Sequence, residues 1–408
     1  MLFYLRLGVR NLFRNKRRAF IAGTAIGIGL AALMASDALI KGMEENLIES
    51  ATQSYLGDGQ IHRDGYRELP EVGKAILHRK ELVARLGSDS RIRYFTERVM
   101  SFAMITSPAN LSAVQLVGVN PEMERHISQI DDTIIQGDFF PEGEVNDLVI
   151  GDRLADLLEA EIGSRIVLTV AQVGTGQLSQ AMFRVSGIFH LNITEMDRGM
   201  AFVRLGRAQE MLGLGDRIHE IAIQLSNSSY AVQERSSVWS DYSTGGNEAV
   251  GWWVLLPQLK MALELSQFSL LIIGLILFAI VALGILNTLF MSMHERMFEF
   301  GVLRALGTRP RAMALMILFE AAALGVLAVV LGIVLGTLTV AALNHFGIDY
   351  TGIEAMGVTF RHVLYPQFQI RQFILYPIVV FVLTLAISLY PAGHAARMQP
   401  AEAMRRSF

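Results

Sequence analysis

The chain has 408 residues, is 52% hydrophobic and only 18% charged, and carries a net charge of -3. So apolar a composition excludes an ordinary soluble protein, and the lack of excess positive charge argues against a nucleic-acid binder. There is no cysteine, so disulfides, cysteine nucleophiles and thiolate metal sites are excluded.

The N-terminus is basic, with Arg6, Arg10, Arg14, Lys16, Arg17 and Arg18 and no acid among them. The first long apolar run follows, from Ala19 to about Ile40. It is too long for a signal-peptide core and has a poor cleavage site, so a retained membrane span is expected.

Residues 43–264 read as one α+β region. "SRIVLTVAQV" alternates like a strand, with Ile166, Leu168 and Val170 on one side; "AMFRVSGIFH" and "IHEIAIQL" alternate likewise. "GDRLADLLEAEIG" reads as a short helix capped by Asp152, striped by Leu154, Leu157 and Leu158, and ended at Gly163. "DRGMAFVRLGRAQEMLGLG" reads as a strand and then a helix stopped at Gly213 or Gly215. "SNSSYAVQERSS" and "SDYSTGGNEAV" look like exposed linkers. The acids of this region show no nucleophile-base or paired-carboxylate spacing and read as solvated. The nine histidines show no HExxH and no close ligand pair, so no metal site is expected.

From Pro257 the spacing turns helical. Leu259, Leu263 and Ser266 run without a breaker into a second apolar stretch, Leu265 to Met293, which bears no charge. An unbroken helix here would be a stiff stalk. The segment "HERMFEFGVLRALGTRPRAM" (294–313) then interrupts the apolar pattern. From Glu295 to Leu306 a helix would place Phe298, Val302, Ala305 and Leu306 on one face, and Arg296 could pair with Glu299 three residues on. Gly307 can stop that helix, Thr308 can cap the next, and Pro310 suits its first turn. A charged helix with an apolar ridge fits either a partner's groove or the lipid interface.

A third span, Ala312 to Leu343, holds a single charge, Glu320, roughly 12 Å along the helix from its start. An acid at that depth must face protein, pair or be protonated. A role in coupling and a polar anchor near the interface both fit it. A fourth span runs from about Phe373 to Ala392. Gly23, Gly27, Gly332 and Gly336 form small-xxx-small pairs, read first as packing within one chain and second as a dimer face.

Lysine and arginine set the orientation. The N-terminus, the loop 294–311 and the tail with Arg397, Arg405 and Arg406 are basic, whereas 344–370 holds only Arg361. Both termini and the loop 294–311 are therefore expected in the cytoplasm, and residues 43–264 and 344–370 outside. Trp252, Trp253, Tyr350, Tyr365 and Tyr376 read as interfacial aromatics on the outer side. The expected fold is a membrane protein of four transmembrane helices, with one large α+β domain inserted between helices 1 and 2.

"NTLFMSMHERMFEFGVLRALGTRPRAM", followed by "LFEAAALGVLAVVLGIVLG", resembles the permease core of the MacB/FtsX-type ABC transporters. Glu295, Arg296, Glu299, Gly301, Leu303, Arg304, Ala305, Gly307, Glu320, Gly332 and Gly336 match its loop and glycine-bearing span, with Phe300 where the family usually has isoleucine. The tail resembles the family's ending through Pro391, Ala395, Ala396, Arg397, Pro400, Glu402 and Arg405. The front of the chain and "IIQGDFFPEGEVNDLVIGDRLADLLEAEIGSRIVLTV" resemble it too. In layout the chain is most similar to the LolC/LolE lipoprotein-releasing permeases.

The resemblance implies three divisions: a basic N-terminus and first span (1–42), a MacB-like periplasmic domain (43–264), and an FtsX-like core (265–408). It implies that about 295–307 is a coupling helix, with Glu295, Arg296, Phe298, Glu299, Gly301, Val302, Leu303, Arg304 and Gly307 against a cytoplasmic ATPase. The chain has no G-x-x-x-x-G-K-[ST]; "VGKA" at 72–75 lacks the rest. ATP and magnesium would belong to a separate ATPase dimer, and this chain would be a non-catalytic subunit without its own cofactor. A second permease copy or paralogue, a periplasmic adaptor or chaperone, and membrane lipid complete the implied partners. The implied function is ATP-driven conformational change beyond the membrane, with lipoprotein release first. Export of a small molecule or peptide, and FtsX-like signalling to a periplasmic enzyme, stand as alternatives.

Overall fold

A computed structural model describes residues 10, 16–143, 145–227, 237–355, 358–360 and 363–397. Two compact units result, a helical one (Met1–Glu44, Leu263–Asp349, Val363–Phe408) and a sheet unit (Glu45–Ala262, Tyr350–His362). The second unit thus draws on the segment between the third and fourth spans as well as on the large insertion.

Among the described residues, four helices are long and apolar enough to cross a membrane. They are Lys16–Ala51, which continues through a π turn to Leu56, then Pro257–Glu295, Pro310–Phe346 and Ile370–Ala396. All four run beyond the spans set by hydropathy alone. The helix from Pro257 is unbroken over 39 residues.

Within the helical unit, Ile26, Leu30 and Met34 of the first helix pack with Ile285 and Leu289 of the second, Leu324 and Ala328 of the third and Val380 of the fourth. The glycine pairs lie on the seam between the first and third helices. A Cβ added to Gly27 would stand 3.0 Å from the Gly332 nitrogen, and one on Gly332 would stand 2.7 Å from Leu30 Cδ2. Gly23 faces Leu327, and Gly336 faces Met34 and Ala31. The four glycines therefore let two backbones of one chain approach closely.

The sheet unit is built on ten strands: β1 (Gly59–Arg63), β2 (Ile92–Thr106), β3 (Leu111–Val119), β4 (Ile134–Gly137), β5 (Asp147–Gly151), β6 (Arg165–Ala171), β7 (Leu178–Phe189), β8 (Met200–Arg204), β9 (Glu220–Leu225) and β10 (Asn247–Gly251). Their order is β10-β1-β9-β2-β3-β8-β5-β7-β4, with β6 bridging β2 and β7. Pairing is antiparallel except for β3 with β8 and β5 with β7. The alternation in β6 buries Ile166, Leu168 and Val170. Val117, Val149, Phe189 and Phe202 join Tyr55, Phe139 and Phe140 in one core. The helix after β8 ends at Leu212, where Gly213 turns left-handed at φ 66°.

The structure departs from several of these expectations. The helix after β5 covers Asp152–Leu158, with Gly151 rather than Asp152 at its cap, and left-handed Glu159 ends it well before Gly163. "SDYSTGGNEAV" is not an exposed linker: it holds the end of the helix Ser237–Tyr242 and strand β10. Most of "SNSSYAVQERSS" lies outside the described residues. Trp252 and Trp253 are not a lipid belt; both are buried in the sheet unit, edge-on to each other and with Trp239 against Trp253. Nor are the acids all solvated, because Glu124, Asp147, Asp197 and Glu220 are fully enclosed.

Two of these buried acids, Glu124 and Glu220, have a physical reason in Arg98, at the middle of β2. Its guanidinium takes Glu124 with two bonds, at 2.6 and 3.0 Å, Glu220 at 2.7 Å and the Tyr55 carbonyl at 2.7 Å. It also stacks over the Tyr55 ring at 3.9 Å. Glu220 sits directly across from Arg98 in the β2–β9 register, and His62 of β1 approaches its other oxygen at 3.1 Å. A charge cluster of this kind is tolerated inside protein only because each group is paired and hydrogen-bonded.

Candidate functional site

The segment after the second span is a short helix, Met297–Ala305, set off from the preceding helix by a break at Arg296. That break is backbone-deep: Arg296 has φ -112° and ψ 14°, outside the helical region. The helix is thus shorter than the 295–306 expected, because Glu295 still belongs to the membrane helix. At the far end Gly307 is left-handed at φ 91°, and the Gly307 and Thr308 amides donate back to the Arg304 and Leu303 carbonyls. Only glycine takes that conformation without steric cost. The next helix is capped by the extended backbone of Arg309, not by Thr308, and Pro310 occupies its first turn.

Arg296 is the junction of the site. Its Nε donates to Glu299 at 2.9 Å, and its Nη1 donates to Glu320 on the third long helix at 3.0 Å. Ser292 on the second helix donates to the other Glu320 oxygen at 2.8 Å. The guanidinium also lies over Phe300, 5.2 Å from the ring centre. One cation therefore ties together the second helix, the loop helix and the third helix. Its partner Glu320 explains how the membrane core holds an acid: the carboxylate is paired and turned inward. Spacing within the loop helix points to the Arg296–Glu299 pair. The Arg296–Glu320 pair joins residues far apart in sequence, and no local pattern announces it.

Phe300 and Gly301 are the buried residues of the loop helix. Phe300 packs with Met293, Met313, Ile317, Ala392 and Ala395, so all three neighbouring long helices hold it. Glu295 is engaged from the first helix: Arg18 donates to its carboxylate at 2.8 Å and to the Thr288 carbonyl at 2.7 Å. On the opposite side the helix is open. Phe298 is 53% exposed and Leu306 79%, and Ala305 is exposed beside them. Val302, Leu303 and Arg304 are half-buried, and Arg304 Nη1 donates to the Thr308 carbonyl at 3.3 Å. The result is a short helix, anchored by Arg296 and Phe300, that presents an apolar edge on the side opposite those contacts. Pro400, Glu402 and Arg405 of the tail, and Arg6 and Arg14 of the N-terminus, lie outside the described residues.

Four apolar helices with a mixed-sheet domain between the first and the second, and a braced loop helix between the second and third, are the architecture of a multi-span membrane protein. A model of the MacB-like periplasmic core domain matches residues 19–235, more than half the chain, and one of the FtsX-like permease C-terminal region matches residues 271–400. The chain belongs to this family, the ABC transporter permeases of the LolC/LolE/MacB type. The lipoprotein-releasing system transmembrane protein LolC of Xylella fastidiosa (strain Temecula1) is 22% identical over 419 residues, covering 98% of each chain. The corresponding LolE of Haemophilus influenzae is 24% identical over 405 residues, covering 96% of this chain and 95% of that one. Among solved structures, the periplasmic region of MacB from Actinobacillus actinomycetemcomitans is 14% identical over 52% of this chain and 94% of that one, with a TM-score of 0.35.

Proposed function

We propose that this chain is the non-catalytic transmembrane subunit of an ABC transporter that releases lipoproteins from the outer leaflet of an inner membrane. A separate cytoplasmic ATPase dimer, carrying ATP and magnesium, seats the loop helix Met297–Ala305 in a groove. Its closure moves that helix, and the motion passes to the outer domain. A second copy of this chain or a paralogue completes the permease pair, and a periplasmic chaperone or adaptor takes the cargo.

The observation that carries this reading is the Arg296 junction. Because the guanidinium bonds to Glu299 and Glu320 together, the loop helix cannot shift without loading the third helix. The second helix continues without a break from Glu295 back to Pro257, which suits transmission of a push. Packed helices move as rigid bodies rather than deforming continuously. Support for lipoprotein as cargo comes from the curated relatives, which are named for it over nearly the full length of both chains.

Purification of the native complex in mild detergent tests the assembly. The expected result is an ABC ATPase that travels with the chain in equal amount and is stimulated by a lipoprotein. A complex without any nucleotide hydrolase would remove the basis of the reading. Stimulation by a periplasmic hydrolase without cargo release would replace transport with signalling.

The orientation is tested separately. The chain lacks cysteine, so single cysteines at Ser229 and Arg309 can be labelled one at a time. In intact spheroplasts an impermeant maleimide should reach position 229 and not position 309. The reverse pattern would invert the topology and place the lever on the wrong side for an ATPase.

A further inference from the structure

Asp152, His190 and Asp197 converge in the sheet unit, well separated in sequence, and none of them enters the coupling scheme. Asp152 follows β5, His190 follows β7, and Asp197 lies in the short helix Thr194–Gly199. One ligand atom from each falls within 4.8 Å of the others. His190 Nδ1 stands 2.8 Å from Asp152 Oδ2 and 3.7 Å from Asp197 Oδ2. Two ligand atoms bound to the same tetrahedral zinc lie about 3.3 Å apart, since each sits near 2.0–2.1 Å from the metal. The two distances in the structure bracket that value.

The second observation concerns Asp197 alone. Its side chain is fully buried, yet only one of its oxygens is satisfied. Oδ1 accepts the Leu191 amide at 2.8 Å, whereas Oδ2 has no hydrogen-bond partner and faces His190. A buried carboxylate oxygen without a donor is costly, and an ion would repay that cost. The position is also fixed by the backbone. Gly151 lies so close that a Cβ there would meet the Asp197 carbonyl oxygen at 2.1 Å. His190 and Asp152 remain partly open to solvent, which leaves room for an ion to enter and for water to complete its coordination.

We propose that Asp152, His190 and Asp197 form a binding site for one divalent transition-metal ion, zinc in preference to magnesium or calcium. The imidazole decides the class: magnesium and calcium take oxygen ligands, whereas one nitrogen with two carboxylates suits zinc. Uptake replaces the hydrogen bond between His190 and Asp152: Nδ1 becomes the metal ligand, and the neutral ring carries its one proton on Nε2. The site fastens the end of β7 to the start of the helix after β5. It adjoins the Asn192 turn, whose side chain donates to the Gly352 carbonyl at 2.8 Å and whose own carbonyl accepts from Thr359 at 2.7 Å.

The test uses the full-length, tag-free protein in detergent, titrated with zinc against a colorimetric chelator. The wild type is expected to take up about one zinc per chain, and magnesium at the same concentration is expected not to displace it. Asp197→Asn and, independently, His190→Gln should each weaken uptake by about tenfold or more. His190 is 38% exposed, so its replacement is compatible with folding, which tryptophan fluorescence checks. Equal zinc uptake by the wild type and His190→Gln would overturn the site, and tight uptake of magnesium in place of zinc would overturn the transition-metal assignment.

Discussion

A complex in which this chain carries Glu299→Ala and Arg304→Ala should lose coupled ATP hydrolysis while still inserting into the membrane. Both residues lie on the loop helix, and neither is Phe300, the buried side chain that anchors it. Their removal breaks the Arg296–Glu299 bond but leaves the Arg296–Glu320 bond and the packing of the long helices in place. Truncating an arginine at the centre of a protein interface typically costs about 2 kcal/mol or more, which is roughly a thirtyfold loss of affinity. The measurement is cargo-stimulated ATPase activity of the reconstituted complex, with co-purification of the ATPase as a second readout. Glu320→Gln separates positioning from contact. It touches nothing on the exposed edge but loosens Arg296, so it should lower the stimulated rate and leave ATPase co-purification unchanged. Full retention of the stimulated rate in Glu299→Ala, Arg304→Ala would end the assignment of this helix as the lever.

Features with short-range causes could be read from the residues alone. The spans follow from unbroken apolar runs, the turn at Gly307 from a glycine between two helical patterns, and the Arg296–Glu299 bond from a spacing of three. Strand β6 announces itself because every second side chain is apolar. What stayed hidden depends on contacts between distant segments. Glu320 posed a question that is answered by Arg296, 24 residues away at the break before the loop helix. Arg98, Glu124 and Glu220 look like surface charges in a linear reading, because nothing local marks a cation buried at the centre of a sheet. Trp252 and Trp253 stand next to a span in the sequence and so imitate interfacial aromatics, but their neighbour Trp239 draws them into the sheet unit. Strand β10 was obscured by the polar, glycine-rich turn that precedes it.

Arg98→Met should destabilise the sheet unit by about 3–5 kcal/mol, the usual cost of leaving buried charges without their partner. Methionine fills much of the same volume but leaves Glu124 and Glu220, 0% and 2% exposed, facing each other across an apolar gap. The chain's three tryptophans, Trp239, Trp252 and Trp253, all lie in the sheet unit, so their fluorescence during denaturant unfolding reports on it directly. Adding Glu124→Gln and Glu220→Gln to Arg98→Met should restore part of the loss, since neutral amides are cheaper to enclose than carboxylates. An unchanged midpoint in Arg98→Met would show that the cluster contributes nothing. The same cluster and its neighbour set the acid limit of the wild type. Burial holds His219 below the ordinary value of 6.5, and its Nδ1 accepts the Met100 amide at 2.9 Å, a bond that protonation breaks. Burial pushes the Glu220 carboxyl up, but the His62 hydrogen bond and the Arg98 charge outweigh it and leave it below the ordinary 4.5. In both cases the unfolded chain binds the proton more readily than the folded one, so stability must fall as pH falls. The His219 contribution is complete above about pH 6.5 and declines below it; the Glu220 contribution is complete above about pH 4.5 and declines below that. The unfolding midpoint of the wild type should therefore drop in two stages on acidification. Glu220→Gln should start from a lower midpoint and lack the second stage. A midpoint in the wild type that is flat from pH 7 to pH 4 would refute the linkage.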